Sequence, residues 1–124
     1  MTLPAQTWVW RASYVSAHDG DTVTCVLDLG IGLTITTPLR LLEVYAPELS
    51  EENGLKARDL TRDWFRWANQ IMLRNGNKWP LIVRTYKADP REKYGRWLAR
   101  IWRKSDRACL NEAIVSAGLA AKEP

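Results

Sequence analysis

Cysteine, histidine and long apolar runs are scarce in this sequence, and each scarcity closes off a class of protein. The two cysteines, Cys25 and Cys109, lie far apart and outside any C-x-x-C pair, so no zinc-binding pattern is present. Two buried free thiols are the expectation, ahead of a disulfide. The single histidine, His18, adjoins an acidic turn, where a surface position is expected rather than a catalytic one. No apolar run approaches the roughly 20 residues of a membrane helix, so no membrane partner is expected. The opening MTLPAQTWVWR has no basic region followed by an apolar run. No signal peptide is apparent, and the expectation is a soluble protein, cytoplasmic or otherwise intracellular. Repeats, low-complexity tracts and linkers are absent from the sequence as well.

The 124 residues fit a single domain, 1–124. A chain of this size can bury roughly two-thirds of its unfolded surface, so it needs no metal or disulfide merely to fold. Seven tryptophans are many for this length, and some of them must be core. Lys plus Arg is 18 and Asp plus Glu is 14, a net charge of +4. That balance suits an anionic partner such as nucleic acid, and a bland basic protein equally.

Along the chain, residues 7–17 are aromatic and β-branched with partial alternation, and read as a strand. HDGD at 18–21 reads as a turn, since Asp-Gly tolerates the backbone that a tight reversal demands. TVTCVLDL at 22–29 reads as a second strand with Val23, Cys25 and Leu27 on one face. Glycines at 30 and 32 allow another reversal into a long third strand, 33–45, where Pro38 marks a bulge or an edge. Between Leu55 and about Arg74 the period changes. Ala57, Leu60, Trp64, Ala68 and Ile71 recur at helical spacing, with capping groups at 50–53 and a stop at Asn75-Gly76. Trp64 and Phe65 are expected in the core. Strands follow at 79–86 and 94–102, with a turn at Asp89-Pro90 between them. A short helix at 109–120 ends the chain, and 119–124 reads as a frayed tail. Five strands with a helix between the third and fourth and a C-terminal helix make an α+β, mainly β chain. That is the layout of a five-stranded oligonucleotide-binding (OB-fold) barrel.

Four clusters stand out from this frame: Asp19-Gly20-Asp21-Thr22, Arg40, Ala46-Pro47-Glu48 and Tyr94-Gly95-Arg96. Each alone has an ordinary explanation as a turn, a solvated strand residue or a loop start. In this order they are far more specific, and the sequence resembles the staphylococcal nuclease (thermonuclease-like) family. The matching segments are DGDT at 19–22, RLLEVYAPE at 40–48, YGR at 94–96 and NEAIVSAGLA at 111–120, so the resemblance covers about residues 8–120.

The resemblance implies an OB-fold barrel and a calcium-dependent nuclease with little sequence specificity. Asp21 and the backbone carbonyl of Ala46 would be ligands of calcium (Ca2+), with Asp19 a further candidate. Glu48 would be the general base that takes a proton from water, and Arg40 and Arg96 would grip the scissile phosphate. Tyr94, Lys93 and Tyr45 would face the substrate, which would be DNA, RNA or both. The chemistry asks for such residues: calcium takes several oxygen ligands, and guanidinium groups make bidentate bonds to phosphate. One residue departs from the pattern. The family has a calcium-binding aspartate where this chain has Tyr45, and a neutral phenol is a poor calcium ligand. Asp19, Glu43 or substrate phosphate could compensate. The rival expectation is therefore a catalytically impaired OB-fold module that binds nucleic acid or a protein partner. Arg84, Lys87, Arg91, Lys93 and Arg100, with Tyr86 and Tyr94 interleaved, read either as a nucleic-acid-facing strip or as a solvated hairpin. A monomer is expected.

Overall fold

A computed structural model describes residues 2–47, 52–74, 76–86 and 96–122. Three strands come first: β1 (Val9–Ala17), β2 (Thr22–Gly30) and β3 (Leu33–Leu41). They form the expected antiparallel meander. Val23, Cys25 and Leu27 all point inward and are buried. In β1 the alternation is partial for a structural reason. A register shift between Tyr14 and Ser16 moves the inward face from Ala12 to Ala17 and leaves Val15 exposed.

The long third strand is broken. It ends at Leu41, and Glu43 adopts a positive φ of 60° before a two-residue strand β4 (Val44–Tyr45). Helix α1 (Glu52–Arg74) buries Ala57, Thr61, Trp64, Phe65 and Ala68 along one stripe. Phe65 stacks on Tyr14 with ring centroids 4.3 Å apart, which seats the helix on β1. Two strands, β5 (Leu81–Tyr86) and β6 (Trp97–Arg103), complete a closed barrel in the order β1-β2-β3-β6-β5. The barrel is an OB-fold, mostly strand, with two helices.

All contacts in the barrel are antiparallel except the closing one. There β3 and β6 run parallel over three pairs: Leu39 with Trp97, Arg40 with Leu98 and Leu41 with Ala99. Helix α2 (Leu110–Ser116) is shorter than the 109–120 expected, and Gly118 with φ 74° follows its end. The segment expected to fray instead contributes β7 (Ala121–Lys122), which pairs with β4. Both cysteines are buried and free, and burial pushes the Cys25 thiol up to about 12, so it is chemically inert. No described helix is long and apolar enough to cross a membrane.

Candidate functional site

The turn 18–21 is pinned from three sides. Its own backbone closes it, His18 N–H donating to the Thr22 carbonyl at 3.0 Å. From α1, the Thr61 hydroxyl donates to the Gly20 carbonyl at 3.2 Å, and the Arg62 guanidinium donates to the Ala17 carbonyl. From β3, Leu41 N–H donates to the Asp21 carbonyl at 2.8 Å. Glycine is required at 20, because a Cβ there would lie 2.8 Å from the Ala57 Cβ and 2.9 Å from the Ala46 Cβ. Neither alanine methyl can swing aside. The helix, the turn and the chain after β4 thus meet at a point where only a hydrogen atom fits.

That packing sets Asp21 beside residue 46. The Ala46 N–H donates to Asp21 Oδ2 at 3.1 Å, and the Thr22 hydroxyl lies 3.3 Å from Asp21 Oδ1. Arg40, on β3 opposite Thr22, brings its guanidinium to 3.7 Å from Asp21 Oδ2. Arg96 arrives from the start of β6 and donates to the Thr22 hydroxyl at 2.9 Å. Two guanidinium groups from separate strands therefore converge on one pair of linked residues, and each makes further interactions as well.

Asp21 is 9% exposed. Burial, reinforced by the Asp19 side chain, pushes its carboxyl up to about 6, against the opposing pull of the Ala46 N–H and Arg40. Asp19 Oδ1 in turn accepts the Asp21 N–H at 3.0 Å. His18 is exposed, as expected.

Of the residues singled out in the sequence, Asp19, Asp21, Arg40, Ala46 and Arg96 are brought to this corner. Glu48, Lys93 and Tyr94 lie outside the described residues, as do Lys87 and Arg91 of the basic strip. Within that strip, Arg84 and Arg100 face each other in register on β5 and β6. Glu43 does not turn toward Asp21; its carboxylate accepts from Arg100 at 3.0 Å. Tyr45 is 56% exposed and lines a shallow cleft with Pro47, Asn53 and Leu119.

The family described as staphylococcal nuclease homologue matches residues 38–123, well over half of the chain. The chain belongs to that family. No curated protein matches it. The matched span takes in Arg40, Tyr45, Ala46, Glu48 and Arg96, whereas Asp21 joins the corner from outside the span, through the antiparallel pairing of β2 with β3.

Two contributors were missed in the sequence. Asn111 at the start of α2 donates to the carbonyls of Leu42 and Ala99 at 3.1 and 3.0 Å, and accepts the Ile101 N–H at 3.2 Å. It therefore ties the kink after β3, which delivers Ala46 to Asp21, to β6, which delivers Arg96. Thr61 holds the turn itself. A polar residue on the apolar stripe of each helix was the available signal, since a buried polar side chain must find partners.

The donors at the corner suit a hard cation in type. Two carboxylates and a carbonyl are all oxygen, and burying Asp21 beside Asp19 leaves negative charge that a cation would offset. In number they fall short of the six to eight oxygens that calcium takes, and the described residues contain no group of three acidic, histidine or cysteine ligands.

Proposed function

We propose that this protein hydrolyses phosphodiester bonds in DNA or RNA with little sequence preference. The observation that supports this reading most is the convergence of Arg40 and Arg96 on the Asp21–Thr22 corner from two different strands. Positive charge supplied from two directions suits a dianionic, five-coordinate phosphorus better than a ground-state phosphate, and so favours the transition state.

Water attacks phosphorus, Glu48 accepts its proton, and the 5′ oxygen leaves as the phosphorus–oxygen bond breaks. Arg40 and Arg96 neutralise the charge that accumulates on the equatorial oxygens. Asp21, Asp19 and the Ala46 carbonyl would hold calcium, with water and substrate phosphate completing its shell. When bound, the ion supplies electrostatic stabilisation of the phosphate oxygens. Each part is small beside the task. A general base contributes roughly 10²–10⁴ and one preorganised donor roughly 10²–10³, whereas phosphate ester hydrolysis requires some of the largest accelerations known. Base, cation and two guanidiniums must act together.

Cleavage of single-stranded DNA and of RNA, with calcium and with chelator, tests the reading. Chelation is expected to abolish cleavage, and Glu48→Gln to lower kcat by roughly 10²–10⁴. Cleavage that survives both changes would sink the mechanism. Tyr45→Asp is expected to tighten calcium binding, read by titration calorimetry, because it adds a carboxylate next to Ala46. A second reading, a binding module with impaired chemistry, draws on Tyr45 and the short donor set. It requires salt-sensitive nucleic-acid binding with no calcium-dependent cleavage.

A further inference from the structure

Over residues 33–38, β3 pairs with β2 on one side and, among the described residues, with no strand on the other, because β6 joins only at Leu39. Next to this edge the barrel wall opens into an apolar cleft of about 170 Å³, which includes Trp8, Ile35 and Trp97. The hairpin above it ends in a two-residue turn, Ile31-Gly32, with φ values of 48° and 77°, the backbone of a type I′ turn. Isoleucine is strained there, and Ile31 is 99% exposed, so no contact within the chain offsets the strain.

We propose that this edge pairs with the same edge of a second copy, antiparallel about a two-fold axis through Ile35, closing the two apolar clefts against each other. The segment is complementary to itself in that register. Ile35 opposes Ile35, Thr34 opposes Thr36 and Leu33 opposes Thr37, so β-branched side chains stack across the seam. Residues 33–38 carry no charge, so no like charges face each other across the seam. The same lack of cations gives a nucleic-acid backbone nothing to bind along this strand, and the tip at 29–33 has none for an anionic membrane. Trp8, Leu29, Ile31, Leu33, Ile35 and Trp97 are between 39% and 99% exposed. They offer roughly 700 Å² per copy, near the roughly 800 Å² per partner of a standard interface. Apolar strand edges associate unless they are blocked, and among the described residues only Pro38, at one end, blocks this one. The dimer replaces the monomer expected from the sequence and does not depend on the nuclease reading.

Sedimentation equilibrium of the wild-type chain at about 100 µM, where even weak interfaces form, is expected to report twice the 14.2 kDa chain mass. Ile35→Lys is expected to reduce this to the single-chain mass. An equimolar mixture of Ile35→Lys and Ile35→Glu is expected to restore the dimer, which an unfolded variant could not do. Ile31→Asn is expected to raise the melting temperature by relieving the turn while weakening association about tenfold. A wild-type chain at single-chain mass, or a dimer indifferent to Ile35→Lys, would overturn the proposal. So would a monomer that floats with anionic vesicles and loses that behaviour in Ile31→Lys.

Discussion

At Asp21, burial and a neighbouring carboxylate both oppose ionisation, and one backbone N–H and one guanidinium favour it. The balance has a sign that can be measured. The folded carboxyl titrates at about 6 against 3.8 when unexposed to these influences. Between those pH values the folded chain holds more protons than the unfolded one, so stability from this group is present below 3.8 and falls as pH rises through 6. Asp21→Asn removes the penalty and keeps an acceptor for the Ala46 N–H. Without calcium, the variant is expected to match the wild type at pH 3.5 and exceed it at pH 7 by about 3 kcal/mol in urea melts, while losing cation binding. A residue that costs stability when charged is what a site for a cation or a phosphate-gripping arginine requires. Glu43 shows the contrast: it has found Arg100 and has no such task.

Among elements, the decisive contact is the one between the turn 18–21 and α1. Gly20→Ala forces two rigid methyl groups apart. The expected cost is about 1–3 kcal/mol in thermal or chemical melts, with a loss of cleavage larger than that destabilisation explains, because Asp21 moves with the turn. The strands, the long helix and the barrel order were legible in the sequence because period-2 and period-3.6 patterns record which faces are buried. Arg40 and Arg96 were legible through their neighbours in the motifs. The break at 42–43 was not, since the positive φ of Glu43 leaves no trace in a continuous apolar run, and β7 was not, because two residues are too few to show a pattern. Within β4 the alternation is plain, with Val44 buried and Tyr45 exposed.

For the whole molecule, closure of the barrel and assembly of the site are one event. The meander β1–β2–β3 and the β5–β6 hairpin are each local, but the β1–β5 and β3–β6 seams join residues far apart in the chain, the second by only three parallel pairs. Such pairings form late, because loop entropy opposes them until other contacts are in place. Hydrogen exchange is expected to find the amides of 39–41 and 97–99 less protected than those of the β1–β2 ladder, and equal protection would contradict this order. Arg40 stands on one side of that seam and Arg96 on the other. During translation, a ribosome that has released β3 but not β6 displays one half of the proposed phosphate clamp without the other. Under the proposed activity, the nascent chain is harmless to the message that encodes it, and the cutting tool exists only after β6 has left the tunnel.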